Sequence, residues 1–240
     1  MSSIATEIAR LQQAKSDLAT SIENKGVTVP AATTLDGYAA LVDQIQQGGG
    51  TLPYDAEIDY LECTGTQYID TGITLVSGTT EVKLVFEAAI TAFVSGSNSF
   101  MISHSTPDAG VQVYTTTSNR VANQGALVSA SANTFYTFTT TTTASQRTIQ
   151  SNYGSPVTQN FSRSITDNSI LHIMGFPGFV ASERNSKAKY KFFRVYVNSK
   201  IVRFFIPVRL GQVGYMYDKI SGQLFGNAGT GNFTLGADIT

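Results

Sequence analysis

Residues 188–210 read AKYKFFRVYVNSKIVRFFIPVRL, two dense apolar runs joined at Asn198-Ser199-Lys200. In the second run, apolar residues recur at every other position: Val202, Phe204, Ile206 and Val208. The intervening face is mixed and includes Arg203 and Arg209. A period of two predicts a β-strand with one face on a hydrophobic core and the other partly solvated.

The first run changes phase along its length. Before the pair Phe192-Phe193, the apolar side chains alternate as Tyr190 and Phe192. After that pair, the apolar positions are Val195 and Val197. One extra residue in a strand restores a continuous core face, so the pattern predicts a β-bulge here.

Composition limits the classes of function. Of 240 residues, 14% are charged and 42% are hydrophobic, and the formal net charge of −1 gives no general attraction to nucleic acid. The single cysteine, Cys63, cannot form an intrachain disulfide. No apolar run is long enough to insert into a membrane, and the first residues lack the pattern of a signal peptide. We therefore expect synthesis in a cytosol.

The N-terminal segment has helical periodicity. The spacing predicts a helix over 4–24, with Ser3 as its cap and Asn24-Lys25-Gly26 as its end. Five apolar residues follow a heptad pattern: Ile4, Ile8, Leu11, Leu18 and Ile22. This narrow stripe predicts self-association as a homotrimer. The alternative is an amphipathic helix packed on its own domain.

A second helix is predicted after Pro30, capped by Thr33 or Thr34. Its apolar stripe contains Leu35, Tyr38, Leu41, Val42 and Ile45. Three consecutive glycines at 48–50 then mark a boundary. We expect a helical attachment and oligomerisation region over 1–47, a Gly-rich linker over 48–53, and a β domain over 54–240.

Beyond residue 52, helical periodicity is replaced by short β-strand patterns at roughly ten-residue spacing. About a dozen such strands predict a mainly β fold, a two-sheet sandwich of jelly-roll type. The tract TFTTTTTAS at 137–145 is β-branched on both faces and fits an exposed strand.

Three carboxylates form the pattern E-x-D-x-x-E: Glu57, Asp59 and Glu62. Jelly-roll β-glucanases place such residues about 5 Å apart on one strand as nucleophile and acid/base. However, the pattern lies at the entrance of the first strand, and the chain has no tryptophan for sugar stacking. A glycoside hydrolase is therefore the alternative, and we expect no catalytic residues.

Metal and cofactor sites are not expected. The two histidines, His104 and His172, have no neighbouring Cys or His cluster. Asp70, Asp108 and Asp218 lie near predicted turns, but without the closely spaced acidic run of a calcium loop.

Half of the basic residues fall between 184 and 209: Arg184, Lys187, Lys189, Lys191, Arg194, Lys200, Arg203 and Arg209. One interpretation of such a run is a nucleic-acid patch. Because these residues alternate with apolar ones, a solvated sheet face is the better interpretation.

Two stretches resemble a known domain. LECTGTQYIDTGI (61–73) and FFIPVRLGQVGYMYDKISGQLFGNAGTGNF (204–233) are similar to the opening and closing segments of a concanavalin A-like (laminin-G-like) sandwich found in virion proteins of tailed phages. GVTVP, followed by TTLDGYAALVDQI, resembles the attachment end of phage fibre or tail-associated proteins.

The resemblance implies a non-enzymatic phage virion protein of fibre, decoration or receptor-binding type. We expect it to attach to capsid or tail proteins by its N-terminus and to bind host-surface glycans through the sandwich. A purely structural, capsid-stabilising role is the remaining alternative. The stacking candidates for a sugar are Tyr114, Tyr136 and Tyr153.

Overall fold

A computed structural model describes residues 4–23, 27–44, 52–93, 98–104, 110–166, 168–177 and 185–239 of the chain. The chain divides into two compact units, residues 1–52 and residues 53–240. The first unit is helical and the second is built from β-strands. Neither described helix is long and apolar enough to cross a bilayer.

Helix α1 (Ile4–Glu23) matches the predicted first helix, whose expected cap and end lie outside the described residues. Ile22 is only 2% exposed and packs with Tyr38 and Leu41 inside the same unit. Ile22 is therefore buried by an intrachain contact. This corrects its assignment to the stripe that was predicted to mediate self-association. The other four residues of the stripe remain exposed: Ile4, Ile8, Leu11 and Leu18.

Helix α2 (Gly37–Asp43) is shorter than predicted and begins later. The expected cap residue Thr33 lies in a turn instead, where its hydroxyl donates to the carbonyl of Pro30 at 2.7 Å. Asp36 occupies the N-cap position without a side-chain capping bond. Leu35 and Val42 are exposed, and Ile45 lies outside the described residues, so the buried side of α2 is formed by Tyr38 and Leu41.

The second unit contains seventeen strands in its described residues, arranged in two antiparallel sheets. The larger sheet consists of β1 (Ala56–Glu57), β2 (Leu61–Thr64), β4 (Glu81–Ala92), β9 (Phe135–Thr143), β10 (Gln146–Ser151), β11 (Val157–Asn160), β13 (Lys187–Val197), β14 (Lys200–Leu210), β15 (Val213–Asp218), β16 (Gln223–Phe225) and β17 (Thr234–Leu235). The smaller sheet consists of β3 (Ile69–Thr74), β5 (Ser99–His104), β6 (Val113–Thr116), β7 (Arg120–Asn123), β8 (Ala126–Ser129) and β12 (Ile170–Ile173).

The larger sheet has the strand order β11-β10-β9-β4-β13-β14-β15-β16, and the smaller has β3-β12-β5-β6-β7-β8. Their facing sides enclose one hydrophobic core. At its centre, the ring of Phe86 lies 5.3 Å from that of Phe138 and 5.4 Å from that of Phe193. The two-sheet sandwich and its mainly β content are as predicted.

The bulge predicted in β13 is present. Against β4, Tyr190 pairs with Ala88 and Phe192 with Glu87, so Lys191 is the extra residue. Tyr190 before it and Phe193 after it are both fully buried. The bulge therefore keeps the apolar residues before it and after it on the same core-facing side of the strand, as the change of phase in the sequence predicted.

The prediction for β14 is correct for Val202, which packs against the main core, but wrong for Ile206 and Val208. Phe205 points into that core, whereas Ile206 and Val208 belong to a small cluster with Tyr54 on the outer side of the sheet. The cluster also contains Tyr217, whose ring meets that of Tyr54 edge-on at 5.0 Å. The period-two pattern is real, but here both faces of the strand are covered.

The hairpin between β13 and β14 turns where predicted. Asn198 and Ser199 both have positive φ, 49° and 64°, as the tightest hairpin turns require. The side-chain oxygen of Asn198 also accepts hydrogen bonds from the backbone N–H groups of Thr80 at 2.8 Å and Glu81 at 3.2 Å. This single side chain therefore joins the hairpin to the start of β4.

The thiol of Cys63 is fully buried, in agreement with the absence of a partner cysteine in the sequence. It donates to the carbonyl of Ser186 at 3.1 Å, and the Ser186 hydroxyl donates to the carbonyl of Met174 at 2.8 Å. Burial raises the pKa of Cys63 to about 12, because the thiolate would lose its hydration. Cys63 is thus a neutral thiol that helps to satisfy buried carbonyl groups.

Candidate ligand-binding groove

A groove of about 390 Å³ lies at one edge of the sandwich, where β8 of the smaller sheet lies against β10 and β11 of the larger. Its walls combine aromatic, aliphatic and hydroxyl side chains. The lining residues are Leu127, Val128, Ser129, Tyr136, Ser151, Tyr153, Gly154 and Val157. Concave sites of this mixed character are typical of small-molecule binding.

The structure brings together two of the predicted stacking residues, Tyr136 and Tyr153. Their ring centroids are 5.4 Å apart and the ring planes are perpendicular. The Tyr136 hydroxyl accepts a hydrogen bond from the Ser131 N–H at 3.1 Å, and hydrogen bonding with Ser131 lowers the pKa of Tyr136. Tyr153 is 73% exposed, so its ring is open to a ligand.

The position of Tyr153 follows from the turn between β10 and β11. Asn152 fixes this turn to β9 through two bonds with Thr137: its side-chain oxygen accepts from the Thr137 N–H at 3.2 Å, and its own N–H donates to the Thr137 carbonyl at 3.0 Å. The Gln150 side chain closes the turn on the carbonyl of Gly154 at 3.1 Å. The exposed ring is therefore carried by an ordered turn, which reduces the entropy cost of binding.

A second depression, of about 230 Å³, lies beside the same turn. Its lining is polar: Thr137, Thr139, Gln150, Ser151 and Asn152. Ser151 lines both depressions. The polar lining follows from the threonine tract of β9. Thr140 and Thr142 are buried on one face of the strand, while Thr137 and Thr139 lie on the other face and remain partly exposed.

Tyr114, the third stacking candidate, lies elsewhere. It is on β6 of the smaller sheet, where its ring meets Phe100 edge-on at 6.0 Å. Burial raises its pKa. Tyr114 is a half-buried packing residue and is not a neighbour of the Tyr136–Tyr153 pair. The sequence pattern alone does not distinguish a packed tyrosine from an exposed one.

Several groove residues could not be recognised in the sequence. Leu127, Ser129 and Val157 meet only through the pairing of strands distant in sequence. The one local signal is the segment SNYGSP at 151–156, where turn-forming residues surround a tyrosine. A tyrosine in such a tight turn has little core within reach, which accounts for its exposure.

The E-x-D-x-x-E residues are separated by the fold. Glu57 ends β1 and Glu62 lies on β2, so the pattern does not occupy one continuous strand. Glu57 accepts a hydrogen bond from the Tyr54 hydroxyl at 3.1 Å, and Asp59 lies 3.2 Å from the ammonium group of Lys191. Two of the three carboxylates thus have structural partners.

The predicted basic run is spread over the larger sheet, apart from Arg184, which lies outside the described residues. Lys189 lies 4.5 Å from the ring centroid of Tyr60, and Arg194 lies 4.6 Å from that of Phe204. Arg209 forms an ion pair with Asp238 at 2.6 Å. These contacts match a solvated sheet face whose cations lie over rings or beside carboxylates.

Among the described residues, no group of His, Cys, Asp and Glu side chains has the arrangement of a metal site. His172 is buried, and burial lowers its pKa. Asp218 is fully buried and accepts from the N–H of Phe204 at 2.7 Å and the hydroxyl of Ser221 at 2.7 Å. Asp70 caps the N–H of Gly72 at 2.8 Å, while Asp108 lies outside the described residues.

The two stretches that resemble the ends of a known sandwich domain are in contact. Gln67 donates through its side-chain amide to the carbonyl of Asn232 at 2.8 Å. The Ala228 N–H donates to the carbonyl of Tyr68 at 2.9 Å. β17 directly follows the closing stretch and pairs with β2, so the two ends of the sandwich domain are held together.

No protein-family model matches the sequence, and no curated protein matches it. Solved structures do match. A candidate carbohydrate-binding protein from Bacteroides ovatus superposes with a TM-score of 0.51 at 12% identity, covering 77% of this chain and 62% of that protein.

Weaker matches include a pentraxin from Limulus polyphemus (TM-score 0.46, 9% identity, 77% of this chain and 96% of that chain). They also include domains LG4-5 of the mouse laminin α1 chain (TM-score 0.40, 12% identity, 62% and 43%). At such identities the likeness concerns the fold alone. The β domain is a concanavalin A-like jelly-roll sandwich preceded by a helical N-terminal region.

Proposed function

We propose that this chain is a phage virion protein of fibre, decoration or receptor-binding type, and that its sandwich binds glycans on the host surface. The groove beside Tyr153 is the proposed binding site. The N-terminal helical unit is the proposed region of self-association, as a homotrimer, and of attachment to capsid or tail proteins. The proposed activity is adhesion rather than catalysis.

The observation that supports glycan binding most directly is the pairing of an exposed ring with a hydroxyl-rich surface. The C–H faces of a sugar pack well on an aromatic ring, and its hydroxyls need hydrogen-bonding partners. Tyr153 supplies the ring, and Ser129 and Ser151 supply hydroxyls in the same groove. The fold of the Bacteroides ovatus protein is compatible with this use of the sandwich.

The proposal of attachment and self-association rests on the resemblance of the N-terminal segment and on the exposed apolar residues of α1. Weak glycan contacts gain strength when several copies act together, because later contacts become intramolecular. An oligomer formed through α1 supplies such copies. The structural partners of Glu57 and Asp59 support a role without hydrolysis.

The direct test applies the intact protein to an array of bacterial-surface and host glycans. We expect binding that is weakened about tenfold in Tyr153→Ala. Tyr196→Ala is the matched control, because this partly exposed tyrosine lies on β13 near Lys83, away from the groove. Absence of glycan binding by the wild-type protein, or equal loss in both variants, would contradict the proposed site.

A second experiment tests the virion assignment. Antibody against the sandwich should label purified phage particles in electron micrographs, and free protein should reduce phage adsorption to host cells. Tyr153→Ala should still be incorporated into particles but should not compete. Particles without this chain would refute the assignment.

A further inference from the structure

We infer that the groove selects uncharged sugars bearing an N-acetyl group, that is, neutral N-acetylhexosamine glycans. The inference rests on the proposed glycan binding and specifies its ligand. It follows from two properties of the groove: the charge of its lining and the position of its aliphatic side chains.

The residues that line the groove and the adjoining depression are all uncharged. They offer hydroxyl, amide, aromatic and aliphatic groups. A uronate or sulfated sugar would have to give up part of its hydration without a cation to replace it, which is costly. Neutral sugars incur no such cost, since serine and threonine hydroxyls can replace water at each sugar hydroxyl.

The aliphatic part of the groove suits a methyl group. Leu127 and Val157 lie on β8 and β11 and line the groove with Tyr153, and Val157 is 40% exposed. A sugar with hydroxyls alone would leave this surface in contact with water. The methyl group of an N-acetyl substituent would cover it, while the amide would reach the hydroxyls of Ser129 or Ser151.

The geometry also limits which face of the sugar is used. The Tyr136 ring is perpendicular to that of Tyr153 and is held by Ser131, so the two rings form two walls of a corner. A sugar stacked on Tyr153 would direct one edge towards Tyr136 and the interior of the groove. The N-acetyl group on that edge would lie among the aliphatic residues.

The experiment measures the affinity of the intact protein for three trisaccharides: tri-N-acetylchitotriose, cellotriose and trigalacturonate. We expect tri-N-acetylchitotriose to bind about fourfold or more tighter than cellotriose, the factor given by burial of one methyl-sized group. Trigalacturonate should bind weakest of the three.

Two variants separate this inference from general sugar stacking. Val157→Thr keeps side-chain shape and strand propensity but replaces a methyl with a hydroxyl, so it should move the affinity ratio of the two neutral trisaccharides towards one. Tyr153→Ala should weaken both neutral sugars by about tenfold, as expected for loss of a ring contact.

The outcomes are distinguishable. If trigalacturonate binds best, and does so through Tyr153, the proposed glycan binding stands and the inferred specificity is wrong. An affinity ratio of one in the wild type, or a ratio unchanged by Val157→Thr, also overturns the specificity. If no glycan binds in the array or in solution, both proposals fail together.

Discussion

The two units of the chain differ in how they dispose of their apolar side chains. In α1, Ile4 is 81% exposed and Leu11 is 53% exposed. In the sandwich, Phe86, Phe138 and Phe193 are fully buried. Both units have a regular apolar pattern in the sequence, yet only the sandwich encloses it within one chain.

The physical reason is the amount of surface that each unit can cover. A sheet faces a second sheet across its whole width, so alternate residues of many strands share one core. The helical unit has one long helix and one of seven residues, and its buried cluster consists of Ile22, Tyr38 and Leu41. The remainder of the α1 stripe needs another surface, which is why self-association is predicted there.

The largest expected effect is in the sandwich core. Phe86→Ala would remove a ring that stacks on Phe193 and contacts Phe138, at a cost of about 3–5 kcal/mol in the free energy of unfolding. Urea denaturation followed by tyrosine fluorescence measures it. Phe86→Leu is the control and should lose clearly less. A cost below about 1 kcal/mol for the alanine variant would show that the core is not the source of stability.

The next prediction concerns the exposed stripe. Leu11→Glu places a charge in the predicted seam, where each buried leucine contributes about 1.5–3 kcal/mol, and should reduce the sedimenting mass of the intact protein to that of a monomer. Ala9→Glu adds the same charge at another exposed position of α1 and should remain oligomeric. The urea midpoint of the sandwich should be the same in both variants. A monomeric wild-type protein would contradict the prediction that the apolar stripe of α1 mediates self-association.

Alkaline pH should act on the sandwich through Cys63. Its pKa is about 12 when folded, against an ordinary value of 9.0, so above pH 9 the unfolded chain releases a proton that the folded chain keeps. Stability contributed by the neutral thiol is complete below pH 9 and falls as pH rises, by at most about 1.4 kcal/mol per pH unit.

The measurement compares wild type with Cys63→Ala at pH 8, 9 and 10. Burial also raises the pKa of Tyr190, which lowers the stability of both proteins in the same direction. The difference between the two slopes therefore reports the loss of the Cys63 thiol together with its smaller contribution to the raised pKa of Tyr190. Parallel slopes would indicate that the thiol ionises equally in both states.

The last prediction concerns the hairpin, where the expected effect is of similar size. Asn198→Ala should cost about 1–2 kcal/mol, because the N–H groups of Thr80 and Glu81 would lose their acceptor. Asn198→Asp retains an acceptor oxygen and should cost less. Thermal unfolding of the two variants is sufficient. Equal destabilisation would mean that backbone conformation, rather than the acceptor, is what Asn198 supplies.

Local pattern was sufficient for much of the fold but not for the face of every strand. The bulge near Phe192 could be predicted because a bulge leaves a change of phase in the sequence itself. The outer cluster at β14 could not, since Ile206 is covered by Tyr54, a residue far away in sequence. Short strands such as β1, β7, β11 and β17 have too few residues to show a recognisable alternation in the sequence.

The candidate groove was predictable only in part. The sequence does not show that Tyr136 and Tyr153 are neighbours, because Tyr136 is on a strand and Tyr153 is in a later turn. The structure brings these two of the three tyrosines together. Tyr114 has the same local pattern as an exposed strand residue but packs on Phe100. The family resemblance implies adhesion, whereas the position of a groove depends on strand pairing between distant segments.

The contact between the loop at 227–232 and the segment at 64–68 has a consequence for biosynthesis. The first strands of the sandwich cannot complete their hydrogen bonding until residues 227–232 have left the ribosome. The sandwich therefore closes late in folding, because contacts of such long sequence separation favour slow closure. A nascent chain that stalls before residue 227 would expose β2 and the Gln67 network, and so become a substrate for chaperones.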